Sequence, residues 1–441
     1  MGIPDGLHIS EPIARVLENY RDFVNTSFLA GIEPIVVDHA KGAELWDVHG
    51  ERYLDCFAGI AVVNAGHGEE TIVRAAQAQM EQLVHCGSYL YYVPIVGELA
   101  SRLASITPGR LQKTFFCNSG AEAVEGALRL AKAFTGRSEF IALDGGFHGR
   151  TNATLSVTGN RKRRQRGGPY LPGVAFAPAP NPYRCRFCKG NCDLRCADAV
   201  SDVIDYETSG DVAAFVAEPI LGEGGIVVPA DGYFERVKEI LDAHGILLLV
   251  DEVQTGFGRT GKLFAIDHYG VEPDILAMAK GIANGFPLGA FIARPDVADA
   301  FQPGEHLSTF GGNPVACAAG LANIQAIEDG GLVSHVDGLG SWLGSELRRT
   351  AQKHRFIGDV RGRGLMFGVE MVADPVTKTP APEVAAKVKA ACRERGVLVG
   401  TGGFFGNVVR IQPPLVITQE QLGFVAEVLD EVFTLNGQSQ N

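Results

Sequence analysis

The sequence predicts an α/β protein, with a large, doubly wound, mainly parallel sheet domain and a smaller α+β domain built from both chain ends. Three observations predict it. Between about residues 110 and 330, short apolar runs alternate with longer amphipathic ones, the pattern of strands covered by helices on both faces. The runs themselves, such as Val212-Ala-Ala-Phe-Val-Ala217, are continuously apolar rather than alternating. A chain of 441 residues also exceeds what a single core normally holds.

In order, Lys113 to Cys117 reads as a strand, Ala121 to Ala133 as a helix, and Glu139 to Leu143 as the next strand. Val212 to Ala217 is a strand, followed by a helix from Tyr233 to Ala243 that ends at His244-Gly245. Ile246 to Val250, Asp274 to Met278 and Gly289 to Ala293 complete the set of strands. Nearer the N-terminus, Glu44 to Asp55 reads as a hairpin around His49-Gly50. After residue 335 come a helix near Glu383 to Glu394 and strands near Val397 and Val408 to Ile411. The expected division is 1–65 and 335–441 for the two parts of the smaller domain and 66–334 for the larger, with a cysteine-rich insertion at 180–200.

Composition narrows the class. Apolar residues make up 46% and charged residues 20%, which argues against extensive disorder, and a net charge of −12 disfavours non-specific nucleic-acid binding. The one basic run, Arg161 to Arg166, reads as a solvated loop on so acidic a chain. The first residues lack the cationic and apolar stretches of a signal peptide, and no apolar run approaches the 18 or so residues of a membrane span. A soluble cytoplasmic enzyme is expected, and nine cysteines, an odd number, suit a reducing compartment.

Three motifs at strand ends carry candidate chemistry. Asn118-Ser119-Gly120-Ala121-Glu122 follows a strand and opens a helix, so it is either an ordinary N-cap or an anion cradle. At Asp251-Glu252, two carboxylates end an apolar strand, where they need partners or solvent. One of them could hold a heteroaromatic nitrogen protonated, as an electron-sink cofactor requires. Lys280 stands just past the next strand, and a desolvated lysine amine forms imines with carbonyls. Gly256-Phe-Gly-Arg-Thr-Gly261-Lys262 imitates a nucleotide-binding loop, but Leu263 replaces the hydroxyl residue that would hold magnesium.

In this order the motifs resemble the class III aminotransferases, 4-aminobutyrate and acetylornithine aminotransferases among them. The similarity runs from Trp46 to Pro414. It is most specific at Ala217-Glu218 through Gly225, at Leu249 through Gly261 and at Ala279-Lys280-Gly281, with Phe147-His148-Gly-Arg150-Thr151 and Thr309-Phe-Gly-Gly-Asn313 adding further matches. The resemblance implies fold type I of the pyridoxal phosphate (PLP)-dependent transferases. It makes Lys280 the Schiff-base lysine and proton shuttle, and Asp251 the partner of the pyridinium nitrogen. It places Phe147 on the ring face with His148 beside it, Gln254 on the phenolic oxygen, and Glu218 and Val253 around them. Ser119, Gly120 and Ala121 would cradle the phosphate, joined by Thr309 of a neighbouring subunit, which implies a homodimer, possibly doubled to a tetramer.

For substrate, the resemblance makes Arg410 the α-carboxylate arginine, with Glu223 as the gate that masks it. Arg150 would bind a distal carboxylate, with Ile60 nearby. These residues point to transamination from an ω-amino acid of the 4-aminobutyrate kind to 2-oxoglutarate or pyruvate. Acetylornithine or ornithine as donor is an alternative, as are a β-amino acid and an alanine–glyoxylate pair. A racemase on the same scaffold would use Lys280 and Asp251 but return the proton to Cα. The departure from the family is Cys185, Cys188, Cys192 and Cys196, which are inert or partly disulfide-bonded in one reading and zinc or iron–sulfur ligands in the other. Such a metal-dependent interaction module is the non-catalytic alternative.

Overall fold

The computed structural model describes residues 11–25, 27, 32–188 and 192–438. Near the N-terminus, β1 (Val37–Lys41), β2 (Glu44–Asp47) and β3 (Arg52–Asp55) run antiparallel. The β2–β3 turn is set by Asp47, whose carboxylate accepts the N–H groups of His49 and Glu51 at 2.9 and 3.0 Å, with Gly50 at φ +81°.

The central sheet contains β4 (Lys113–Cys117), β5 (Glu139–Leu143), β6 (Val174–Ala177), β7 (Val212–Ala217), β8 (Leu247–Asp251), β9 (Ile275–Met278) and β10 (Gly289–Ala293). Their order is β4-β10-β9-β8-β7-β5-β6, and only β10 runs against its neighbours. The expected parallel character therefore holds, with one antiparallel strand next to the edge. Successive residues divide between two cores, as a period of two requires. Phe215, Leu248, Val250 and Leu276 join one core, while Ala214, Val216, Leu249 and Ala277 join the other. Both faces are thus covered, which is why the sequence shows unbroken apolar runs.

The helix Gly120–Thr135 packs into the second core through Ala123, Val124, Ala127 and Leu128. Ser119 Oγ caps its start by accepting the Glu122 N–H at 3.2 Å, and Gly136 at φ +68° ends it. Among the described residues, no helix is long and apolar enough to cross a membrane.

The C-terminal strands are β11 (Ile357–Arg363), β12 (Met366–Asp374), β13 (Thr379–Pro380), β14 (Val397–Leu398), β15 (Gly400–Gly402) and β16 (Val408–Ile411). β11, β12, β16 and β15 form one sheet, while β14 pairs in parallel with β3, so the two chain ends share a sheet.

Arg259 ties these parts together. Its side chain is fully buried and donates to the carbonyls of Leu365 (3.1 Å) and Pro413 and to Asn64 Oδ1 (2.7 Å). It faces carbonyls rather than a contacting carboxylate, and burial brings its pKa down to about 9 despite the charge of Asp55. This buried guanidinium occupies the loop that imitates a nucleotide-binding motif, so the loop is a structural clamp. Arg259→Met is expected to lose about 2–4 kcal/mol of stability, because three buried acceptors lose their donor. Urea unfolding checks this, and a loss below about 0.5 kcal/mol would refute the clamp.

Candidate active site

The parallel strands and β4 all point their carboxyl ends to one edge, where ligands bind in doubly wound sheets. That edge gathers the motifs: Ser119 and Gly120 follow β4, Phe147 to Arg150 follow β5, and Glu218 and Glu223 follow β7. Asp251 is itself the last residue of β8, one position beyond the expected end, and Lys280 lies two residues past β9. Asp251 continues the side of β8 that carries Leu247 and Leu249, so it shares a face with the helix Gly120–Thr135.

Asp251 is buried and makes two contacts: Oδ2 lies 2.8 Å from His148 Nδ1, and Oδ1 accepts the Val253 N–H at 3.0 Å. Burial opposes protonation of His148, but the hydrogen bond and charge of Asp251 outweigh it and raise its pKa. Glu218, also buried, accepts the N–H groups of Phe147 (2.9 Å) and Gly222 (2.8 Å). Burial, reinforced by the charge of Asp251, lifts its pKa from 4.5 to about 7. For Lys280 burial lowers the pKa, with Asp251, Glu223 and Glu218 acting the other way. Lys280 adopts φ +48°, a left-handed conformation that a side chain bears only at a cost of about 1–2 kcal/mol.

The N–H groups of Gly120 and Ala121 open the helix without intrahelical acceptors, and a Cβ on Gly120 would stand 2.7 Å from Val253 Cγ1. A phosphate placed there would meet backbone donors, the Ser119 hydroxyl and the positive helix end. With Lys280 and Asp251 on the same edge, these residues fit a phosphorylated pyridine aldehyde. Thr309 is exposed and follows Ser308, which accepts from Asn118 Nδ2 at 3.3 Å.

Arg410, on β16, is fully buried. It donates to Glu223 Oε1 (3.0 Å), Gln254 Oε1 (2.7 Å) and Gln412 Oε1 (2.9 Å), and its guanidinium lies 5.1 Å from the centre of the Phe57 ring. The Gln254 carbonyl oxygen is thus held by Arg410 and by Gln412 Nε2 (2.9 Å), so any bond to the cofactor comes from its amide NH₂. Burial works against ionisation of Glu223, yet Arg410 and Arg163 outweigh it and bring its pKa down to about 2. Arg150 is exposed, with its guanidinium 5.6 Å from the centre of the Phe147 ring. Ile60 lies 39% exposed on Ala58–Ala61, a turn in which all four residues have φ between +50° and +70°.

Two features were not read from the sequence, the contacts of the basic run and two buried amides. The basic run is not simply solvated: Arg163 donates to Glu223 Oε2 at 2.9 Å, and Lys162 Nζ to the Phe405 carbonyl at 3.2 Å. Charge density in the sequence hid this contact, which joins positions 60 residues apart. Asn64 and Gln412 were missed as partners of Arg259 and Arg410 because a lone amide carries no sequence signal. The nine cysteines are free thiols. Cys188 Sγ lies 3.9 Å from Cys192 Sγ and donates to Asp193 at 3.1 Å, whereas Cys196 is buried in the helix Arg195–Glu207. Among the described residues, no group of three or more His, Cys, Asp or Glu side chains is placed to hold a metal ion.

Glu252 is raised to about 7 by burial, as Glu218 is, so folding takes up a proton at each. The stability these groups contribute is complete below about pH 4.5 and is lost as pH rises through about 7. Glu218→Gln is expected to remove about half of that fall in the cofactor-free protein. Urea midpoints between about pH 4.5 and 8 check it, and an unchanged slope assigns the titration elsewhere.

A model of the family described as aminotransferase class-III matches residues 30–433. The acetylornithine aminotransferase of Methanosarcina mazei is 46% identical over 401 residues, covering 91% of this chain and 92% of that protein. The leucine/methionine racemase of Thermococcus litoralis is 40% identical over 413 residues (92% of each chain). A probable 4-aminobutyrate aminotransferase of Bacillus subtilis is 38% identical over 395 residues (88% of this chain, 91% of the other). The crystal structure of an amine transaminase from an uncultivated Pseudomonas species, in a PLP-bound form, superposes with a TM-score of 0.86 at 32% identity, over 91% of this chain and 95% of that one. Similarity of that extent, on a sheet edge already shaped for the cofactor, means that this chain belongs to the class III aminotransferases, PLP-dependent enzymes of fold type I.

Proposed function

We propose that the enzyme moves an amino group from an ω-amino donor, one whose reacting amine is remote from its carboxylate, to an α-keto acid such as 2-oxoglutarate or pyruvate. The observation that carries this reading is the ion pair between Arg410 and Glu223. An enzyme that took only α-amino acids would need a permanently open arginine, whereas here a low-pKa carboxylate masks it. Acetylornithine fits such a donor, as does 4-aminobutyrate, and the greater similarity to acetylornithine aminotransferases favours the former. Arg150 is exposed where it can meet the donor's far carboxylate.

When bound, pyridoxal phosphate supplies an electron sink for the carbanion left as the substrate loses a proton. The chain's own groups do the rest. Lys280, with its pKa lowered by burial, supplies an amine able to attack a carbonyl and to take up and return that proton. Asp251, oriented by His148 and the Val253 N–H, presents negative charge to a protonated ring nitrogen. The helix start at Ser119 to Ala121 would hold the phosphate. Arg410 grips the acceptor's α-carboxylate once Glu223 has withdrawn. Thr309 of the partner subunit would complete the cradle in a homodimer.

A second reading is racemisation, favoured by the similarity to the leucine/methionine racemase. It needs no keto acid. Incubating the holoenzyme with one L-amino acid separates the two readings: D-isomer formed without any acceptor would reject the transaminase reading. Lys280→Ala is expected to lower turnover by more than about a thousandfold, read in a donor and acceptor screen. Retained turnover would remove the central assignment. Arg410→Gln is expected to raise the KM for 2-oxoglutarate by about thirtyfold or more, with far less effect on the amine half-reaction. Equal losses in both half-reactions would contradict the masked-arginine reading.

A further inference from the structure

Glu223 is held by two guanidinium groups. Oε1 accepts from Arg410 at 3.0 Å and Oε2 from Arg163 at 2.9 Å. The two arginines differ in setting: the Arg410 side chain is 1% exposed, while that of Arg163 stands at the rim with 41% exposed.

The mount of Arg163 is fixed. The 3₁₀ turn Arg161–Arg164 is capped by Asn160, whose side chain accepts the Lys162 N–H at 3.1 Å and whose own N–H reaches the Gly146 carbonyl at 3.2 Å. Gly159 packs so tightly on the end of β5 that a Cβ would lie 2.1 Å from the Leu143 carbonyl oxygen. On the far side, Arg164 lies 4.9 Å from the ring centres of both Tyr170 and Phe176. Lys162 binds the Phe405 carbonyl, and Gly403, in the same loop, donates to the Glu223 carbonyl at 3.0 Å. The turn that presents Arg163 to Glu223 is therefore anchored through its neighbours Asn160, Lys162 and Arg164.

A carboxylate arriving at Arg410 must displace Glu223. Glu223 stays ionised at working pH, so it leaves as an anion, and a largely buried anion without a counter-charge costs several kcal/mol. Arg163 already holds its second oxygen. We propose that Arg163 is the second seat of Glu223, a positioning residue that keeps the displaced carboxylate paired while an incoming α-carboxylate occupies Arg410. This rests on the masked-arginine reading above, and it makes acceptor affinity depend on a residue that touches neither substrate nor cofactor.

The test compares Arg163→Gln, Arg163→Lys, Glu223→Gln and the double variant Arg163→Gln/Glu223→Gln as holoenzymes. Binding of glutarate, an unreactive dicarboxylate, is measured by calorimetry beside the steady-state constants. Arg163→Gln is expected to raise the acceptor KM and the glutarate Kd by about five- to tenfold. It should change kcat less than about threefold and the ω-amine KM less than about twofold, and Arg163→Lys should recover most of the loss. In the Glu223→Gln background no anion needs a seat, so Arg163→Gln should add less than about twofold. An unchanged acceptor KM overturns the proposal, as does a full additive effect in that background. An equal rise in the donor KM overturns it too, placing Arg163 on the substrate. If wild type shows no use of ω-amine donors, or Arg410→Gln spares the acceptor KM, the masked-arginine reading itself has failed. If those controls hold and the Arg163 variants are silent, only the second seat is lost.

Discussion

Asp251 ends a strand whose other four residues are apolar and buried. An unpartnered carboxylate there would cost an amount comparable with the whole margin of stability of a folded domain. Its two contacts, to His148 Nδ1 and the Val253 N–H, relieve that cost, and each fixes more than one residue. Holding His148 sets the β5 loop, and with it Phe147 and Arg150. The Val253 N–H bond closes the turn after β8, and the Val253 side chain in turn fills the space that a Cβ on Gly120 would need. Burial first, and then the charge of Asp251, keep the proton on Glu218 to about pH 7 against the opposing charge of His148, while Glu218 satisfies two backbone N–H groups.

The second half of the site comes from a different part of the chain. Arg410 belongs to a C-terminal sheet, yet it lies within a hydrogen bond of Gln254, in the turn that follows β8 of the central sheet. Arg259 makes that registration rigid, because a single buried guanidinium binds Leu365, Pro413 and Asn64 at once. The planar guanidinium spreads its donors over separate nitrogens, two of which serve the three acceptors here. Two buried arginines thus set how the C-terminal sheet meets the loops of the central one.

Much of this was legible in the sequence where the signal is local. Continuous apolar runs marked β7 and β10 to the residue, because a strand buried on both faces tolerates no polar interruption, while β4 and β5 were as legible although each opens on a polar residue, Lys113 and Glu139. The reading of Ser119 as a cap or a cradle needed no choice, since its hydroxyl caps Glu122 while the helix start still offers N–H groups. What stayed hidden depends on pairs far apart in the chain. Arg163 and Glu223 are 60 positions apart, and Arg410 and Gln254 156. Nothing in a run of five basic residues singles out the one that finds an acid. Arg259 was concealed by a spacing that belongs to another chemistry.

The turn at Ala58–Ala61 is wound in the opposite sense to every ordinary protein helix, and three of its four residues carry a Cβ. Mirror winding reverses the side to which each side chain is displayed. Ile60, on this turn, is 39% exposed. The carboxylate of Asp55, which takes the Phe57 and Ala58 N–H groups, holds the turn in that unfavoured sense. Chirality, and not only residue identity, thus decides which surface this segment offers to an approaching molecule.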